Sequence, residues 1–237
     1  MATYQPVDFK WRHFHGEVIM QCVRWYCRYG ISYRDLEEMM AERGSVIDHT
    51  TLYRWVQHYA PKLKQRLDWY KQAYARRWHL DQTYIKVKGQ WKYLYRAIDE
   101  QGNTIDFYLS HRRNIIAAKR FLTKLINNNS SCDVRVINTD KNPTYHQAIT
   151  QLKQEEKLAN HVAHLQIKYR NNRLEADHGK LKRLIKPTGG FQSMKTAYAT
   201  LKGFEVMRMF KKGQFNKWMY GTRTEISFIN EQFGLYS

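Results

Sequence analysis

The sequence predicts an α/β fold preceded by an all-helical module, and three observations support this prediction. Apolar residues recur at helical spacing through residues 1–75, and from residue 80 they alternate as they do in strands. A nearly continuous apolar run at 134–139 is typical of a strand that is buried on both faces of a parallel sheet. Alternating strands, then a helix, then such a run make up the element order of an α/β domain.

The helical module is expected to contain three helices, because its apolar side chains recur every three or four residues. Ser32 and Asp35 have the spacing of a capping box, in which each side chain satisfies a free backbone donor of the other residue. Asp48 or Thr50 is expected to cap the third helix. That helix should end before Pro61, because proline removes a helical hydrogen bond.

The second and third of these helices form a candidate helix-turn-helix, joined by a tight turn that contains Gly44. The exposed positions of the third helix that are expected to contact DNA include Thr51, Tyr53 and Arg54. Three-helix units also occur as plain structural modules, so the pattern alone leaves that alternative open. The basic character of the whole chain favours DNA binding.

Three antiparallel strands are predicted next, arranged as a meander. They cover 81–87, 91–98 and 104–109, and Lys88-Gly89 forms the turn between the first two. A helix follows the meander and leads to the buried apolar strand. Ligands in such folds bind at the C-terminal ends of the strands, so residues at that edge are the candidates for chemistry.

The charge of the chain is the most informative part of its composition. There are 40 Lys and Arg residues against 21 Asp and Glu residues, which gives a formal net charge of +19. Residues 160–223 hold 14 basic and three acidic residues, a net of +11. Such an excess indicates a polyanionic partner, and nucleic acid is the usual one. Charge alone does not separate DNA from RNA, or an enzyme from a packaging protein.

Several protein classes are disfavoured by what the sequence lacks. No apolar run is long enough for a membrane span, and the N-terminus has no apolar signal segment, so an intracellular protein without membrane contact is expected. The three cysteines are too few and too scattered for a disulfide framework or a thiolate zinc site.

Three acidic residues occupy positions that need a physical explanation. Asp81 shares its strand face with apolar side chains, and Asp140 follows the most buried strand. A buried carboxylate is costly unless an arginine, a hydrogen-bond network or a metal compensates it. Glu175 lies on a helix predicted at about 172–185, which could pack beside those strand ends. Any one such acid is usually just solvated, but three that converge would bind hard divalent cations.

The segments that contain these acids have a specific likeness. They are 79–99, 138–143 and 168–183, and they resemble the catalytic segments of bacterial transposases of the insertion-sequence-six family. The resemblance continues through 190–207 and covers nearly the whole chain. Between Asp140 and Glu175 lie 34 residues, which is the short second spacing of this family's Asp-Asp-Glu triad.

The resemblance implies a ribonuclease H-like catalytic core at 76–215, between a helix-turn-helix module at 1–75 and a C-terminal tail at 216–237. It also implies an enzyme that binds the terminal inverted repeats of an insertion sequence, cleaves at the 3′ ends and transfers the strands into target DNA. Asp81, Asp140 and Glu175 would be the catalytic residues and would hold two Mg²⁺ or Mn²⁺ ions. The enzyme would be at least a homodimer and would act on double-stranded DNA in the bacterial cytoplasm, at the nucleoid.

The residues around Glu175 extend this interpretation. Lys182 lies two turns further along the predicted helix on nearly the same face, and related enzymes use a lysine there to contact DNA. Lys180 and Arg183 are further candidates for DNA contact. The alternative for all three cations is a solvated charge.

Three further positions lie close in sequence to the predicted triad. His178 falls on the apolar stripe of the same helix, so a hydrogen-bonded core histidine is the favoured interpretation. Asp177 could support the site from another helix face. Gln82 departs from the family, which usually has glutamate beside the first aspartate, so the tuning of the site is expected to change.

Two alternatives belong to other functional classes. One is an inactive transposase-derived repressor, which would keep the N-terminal helices and tolerate loss of the triad. The other is a ribonuclease H-like nuclease without end recognition. The presence of all three carboxylates favours the enzyme over the first alternative, and the helix-turn-helix candidate speaks against the second.

Overall fold

The computed structural model describes residues 6–10, 12–167, 171–216 and 221–235. Its contacts divide the chain into two compact units, described here as the helical unit (Met1–Gln72 with Arg183–Ser237) and the sheet unit (Ala73–Lys182). The boundary after Gln72 lies near the division expected at residue 75. By these contacts, residues 183–215 group with the N-terminal helices.

Along the chain, the elements begin in the helical unit, pass through the sheet unit and return to the helical unit. In order they are α1 (Gly16–Arg28), α2 (Tyr33–Ala41), α3 (His49–Leu67), β1 (Arg77–Val87), β2 (Gln90–Asp99), β3 (Thr104–Ser110), α4 (Ile115–Asn128), β4 (Val136–Asn138), α5 (Pro143–Gln154), β5 (Ala163–Leu165), α6 (Asn172–Ile185), α7 (Met194–Lys212) and α8 (Glu225–Glu231). Within the described residues, no helix combines the length and apolar character that a bilayer span requires.

The caps of α2 and α3 form as the sequence predicts. The Ser32 Oγ accepts a hydrogen bond from the Asp35 amide at 3.1 Å, and the Asp35 carboxylate accepts one from the Ser32 amide at 2.8 Å. Asp48 caps α3 by accepting from the Thr50 amide. The expected end before Pro61 is wrong, because α3 continues to Leu67. The buried apolar stripe continues with it, and packing of that stripe offsets a proline penalty of about 3 kcal/mol.

α7 packs closely against α1 and α3 within the helical unit. Gly203 makes this approach possible: a Cβ at that position would lie 2.5 Å from the Sγ of Cys27 and 2.8 Å from the Cβ of Ala60. The periodicity of residues 194–212 predicts a helix but not its partner, since the contacts join residues far apart in sequence.

The sheet has the strand order β3-β2-β1-β4-β5. β2 is antiparallel to β1 and β3, whereas β4 is parallel to β1 and β5 is parallel to β4. These directions and this order are those of a ribonuclease H-like sheet, as expected. Lys88 and Gly89 have φ values of 48° and 74° and form the tight turn between β1 and β2.

The core of the sheet unit lies between the sheet and the helices α4 and α5. Its buried members include Leu80, Ala97, Phe121, Ile137 and Leu152. β4 is shorter than the predicted strand at 134–139, because only three of its residues pair with β1 and β5. α6 covers the range expected for it, and the buried side chain of His178 faces inward as predicted.

Candidate active site

Three carboxylates line one cleft of the sheet unit, which has a volume of about 620 Å³. Asp81 comes from β1, Asp140 from the loop after β4, and Glu175 from the first turn of α6. The lining residues are Asp81, Arg113, Asp140, Lys141, Asn142, Thr144, Asn171 and Glu175. β4 runs parallel to β1, which brings Asp140 to the same end of the sheet as Asp81.

The Asp81 side chain is largely buried. Burial, together with the nearby charges of Asp140 and Glu175, raises the pKa of its carboxyl to about 6. The Gln82 amide, which donates to Asp81 Oδ1 at 2.8 Å, and the positive charge of Arg113 act in the opposite direction. A carboxylate that is desolvated beside two others has a strong requirement for positive charge.

Asp140 accepts two hydrogen bonds and forms one ion pair. The Asn142 amide donates to its Oδ1 at 3.2 Å, and the Gln82 side-chain amide donates to its Oδ2 at 3.3 Å. Arg113 Nη2 lies 3.7 Å from the same Oδ2. The departure at position 82 therefore has a structural consequence, because an ionised glutamate could not donate this hydrogen bond.

The orientation of α6 depends on a buried ion pair that the sequence did not predict. The Arg96 Nη2 donates to the Oδ2 of Asp177 at 2.7 Å, and the Arg96 side chain is fully buried. Arg96 is the direct cross-strand partner of Asp81, so this pair joins α6 to β2 beside the cleft. His178 Nδ1 lies 3.9 Å from Asp81 Oδ2 on the same inner side. Glu175, two residues before Asp177, is exposed toward the cleft.

Two buried asparagine side chains connect the remaining elements. The Asn138 Nδ2 donates to the Oδ1 of Asn171 at 2.7 Å, and the Asn171 Nδ2 donates to the Leu80 carbonyl at 3.3 Å. This chain links β4, the segment before α6, and the backbone next to Asp81. A polar amide within the apolar run at 134–139 was a signal that could have identified Asn138.

The three residues of α6 that were predicted to contact DNA lie on the surface. Lys180, Lys182 and Arg183 are all exposed. On α3 of the helical unit, Arg54 is exposed, whereas Thr51 is half-buried. Tyr53 is also half-buried, because its ring packs edge-on against the Tyr33 ring at 5.6 Å.

The donor set of the cleft suits a hard divalent cation. The three carboxylates offer oxygen ligands, and Asp81 has the raised pKa of a group that lacks a full counter-charge. Asp81, Asp140 and Glu175 are therefore the residues that would hold magnesium or manganese. The nearby guanidinium of Arg113 supplies only part of the missing positive charge, because it lies at 3.7 Å from one carboxylate.

The raised pKa of Asp81 predicts a pH-dependent stability. The folded pKa of about 6 exceeds the ordinary value of 3.8, so ionisation of Asp81 destabilises the folded state. This destabilisation is absent below pH 3.8 and is complete above pH 6. In metal-free buffer at about pH 8, Asp81→Asn should raise the free energy of unfolding by about 1–3 kcal/mol. Urea unfolding at several pH values measures this. A gain that stays constant as pH falls toward 4 would contradict the assignment.

A ribonuclease H-like sheet with three acidic side chains in one cleft defines the class of DDE-domain nucleic-acid enzymes, and a family model described as "DDE domain" matches residues 75–214. The chain is 41% identical over 217 residues to the transposase for insertion sequence-like element IS431mec of Staphylococcus aureus strain Mu50, which covers 90% of this chain and 93% of that relative. It is 40% identical over 217 residues to the Staphylococcus aureus transposase for insertion sequence element IS257 in transposon Tn4003, and this match again covers 90% of this chain and 93% of that relative. The chain belongs to the insertion-sequence-six family of transposases, and it is an enzyme of that class.

Solved structures give a more distant likeness. The HTLV-2 integrase catalytic core domain in complex with magnesium (trimeric form) is 14% identical, with a TM-score of 0.46 over 63% of this chain and 97% of that chain.

Proposed function

We propose that this transposase binds the terminal inverted repeats of its insertion sequence, cleaves at their 3′ ends and joins those ends to target DNA. The observation that carries the proposal is the convergence of Asp81, Asp140 and Glu175 on one cleft in a chain of net charge +19. Carboxylates in this arrangement are the ligands of phosphoryl-transfer metals, and the cationic surface is suited to the DNA backbone.

The three carboxylates, Asp81, Asp140 and Glu175, would hold two divalent ions in the cleft that they line. When bound, these ions supply activation of an attacking oxygen and stabilisation of the leaving oxygen. The protein positions the carboxylates: the Gln82 side-chain amide and the Asn142 backbone amide orient Asp140, and the Arg96–Asp177 pair orients α6.

Metal dependence tests the reaction. Joining of a pre-cleaved inverted-repeat oligonucleotide to plasmid should require Mg²⁺ or Mn²⁺ and should fall to background in a chelator, because the proposed reaction needs a divalent cation to activate the attacking oxygen. Gel electrophoresis of the joined products measures it. The partner and assembly follow from the same reaction: two ends must be held together, so at least a dimer is expected on the DNA. Joining in the presence of a chelator would refute the proposal.

End recognition would lie on α3, where Arg54 is exposed. Arg54→Ala should reduce the preference for the inverted repeat over unrelated DNA by roughly tenfold, since a bidentate arginine–base contact is worth about 1–3 kcal/mol. Competition binding at fixed salt measures the preference. Arg34→Ala is the matched control, because Arg34 is an exposed arginine on the neighbouring helix α2. Equal effects of the two substitutions would argue against reading by α3.

A further inference from the structure

The outer half of the β1–β2 hairpin carries exposed aromatic rings on one side. Tyr84 pairs directly with Tyr93, and Lys86 pairs directly with Trp91, so these four side chains share one side, called the hairpin face below. Trp91 is 65% exposed and Tyr84 is 43% exposed. The rings of Tyr84 and Tyr93 have centroids 5.3 Å apart and are tilted by 55°. Several large exposed rings that lie next to one another on one side of a hairpin indicate a binding surface.

The opposite side of the same strand is well packed. Thr83, Ile85 and Val87 are only 6%, 2% and 3% exposed. The exposure of the hairpin face is therefore not a result of a loosely packed hairpin. The tight turn at Lys88-Gly89 fixes the register of the two strands and with it the positions of the rings.

The charge around the hairpin face matches a polyanion. Lys86 and Lys88 are exposed at its outer end, and there is no Asp or Glu between Gln82 and Ile98. At its inner end Tyr93 pairs with Ser110, and the exposed Arg112 and Arg113 follow directly in the chain. Aromatic rings bordered by cations without acids are the combination that binds single-stranded nucleic acid.

The inner end of the hairpin face reaches Asp140, one of the three carboxylates of the cleft, whereas Asp81 points to the opposite side of β1. Gln82 points to the same side of β1 as Tyr84, and its side-chain amide donates to Asp140 at 3.3 Å. With a rise of about 3.3 Å per residue, Tyr84 lies about 7 Å and Lys86 about 13 Å along the strand from Gln82. Trp91 lies directly opposite Lys86. A single strand of a few nucleotides that leaves the cleft would span the distance from Gln82 to Trp91.

We infer that the hairpin face stacks unpaired nucleotides of the DNA end whose phosphate occupies the cleft. A paired duplex hides the flat faces of its bases, so the exposed Trp91 and Tyr84 rings can stack only on bases that are unpaired or at an end. Stacking there would hold the end open beside the carboxylates. The inference rests on the proposed function, because it takes the cleft to act on DNA.

Equilibrium binding to two DNAs tests the inference. The probes are a blunt duplex and the same duplex with about three unpaired nucleotides at one 3′ end, measured by fluorescence anisotropy in a chelator so that no DNA is cut. The unmodified protein should bind the overhang duplex about tenfold more tightly than the blunt one. Trp91→Ala should lose most of this preference while its affinity for the blunt duplex stays within about twofold, and Trp91→Phe should keep it.

A base analogue and a matched variant make the result specific. 2-Aminopurine in the overhang should be quenched by the unmodified protein and remain fluorescent with Trp91→Ala. Trp69→Ala is the control, because Trp69 is 81% exposed but lies in the helical unit, and it should change neither signal. Equal binding of the two DNAs, or equal weakening of both by Trp91→Ala, would overturn the inference. These measurements need no metal, so a failure of metal-dependent joining would refute the proposed function without altering them.

Discussion

Asp140→Asn is expected to reduce strand joining by roughly a thousandfold or more, because it removes a charged ligand while it keeps the side-chain volume. The reason lies in the position of Asp140 in the cleft with Asp81 and Glu175. Loss of one negative charge weakens the attraction for divalent ions, and the amide nitrogen of asparagine cannot bind a cation as the oxygen did. Single-turnover kinetics with a pre-cleaved end measure the rate of the joining step itself, without a contribution from later cycles of the enzyme.

A matched control separates the site from general loss of charge. Asp133 is an exposed aspartate of the same unit, and its carboxylate forms surface ion pairs with Arg135 at 3.2 Å and with Arg76 at 3.7 Å. Asp133→Asn should leave the joining rate within about twofold of the unmodified enzyme, since exposed ion pairs contribute little. Calorimetric titration with Mn²⁺ should show weaker binding for Asp140→Asn alone. Joining by Asp140→Asn at the unmodified rate would remove Asp140 from the metal site.

Local signals in the sequence predict the elements well, and long-range contacts account for the differences. The capping box at Ser32 and Asp35 and the turn at Lys88-Gly89 depend on a few neighbouring residues, so they could be predicted from the sequence. The continuation of α3 through Pro61 depends on the burial of the stripe beyond it, which the helix gains only in the fold. The grouping of α7 with α1 and α3 has the same origin.

The candidate site divides in a similar way. Asp81 and Asp140 were identified from the physical problem of a carboxylate on a core-facing or strand-end position, and Glu175 mainly from the family resemblance. Arg96 was missed because its partner Asp177 lies 81 residues away in sequence. A signal for Asp177 was present, since it follows the buried Leu174 by three residues and therefore lies on the inner stripe of α6.

The Arg96–Asp177 pair shows how the fold positions the third carboxylate. Glu175 has no strand to fix it, so its place depends on the rotation of α6 about its own axis. The inner side of α6 presents Asp177 and His178 to β1 and β2, where Arg96 and Asp81 are cross-strand partners. A charged hydrogen bond at 2.7 Å constrains that rotation more strictly than apolar packing does, because it requires a defined direction.

Asp177→Ala is expected to lower the free energy of unfolding by about 3–5 kcal/mol, because it leaves the buried guanidinium of Arg96 without this carboxylate. It should also raise the concentration of Mg²⁺ needed for half-maximal joining, since Glu175 shifts with α6. A purely structural role would lower stability without changing that concentration. Asp177→Glu, which keeps the charge, should restore part of the metal response.

A double-mutant cycle isolates the pair from its surroundings. Arg96→Leu combined with Asp177→Leu should be more stable than the sum of the single changes predicts, because neither charge of the pair is then buried without the other. Urea unfolding gives the free energies, and the Mg²⁺ dependence of joining gives the functional effect. Strict additivity of the two single substitutions, together with an unchanged Mg²⁺ requirement in Asp177→Ala, would show that Glu175 is positioned by the packing of α6 alone.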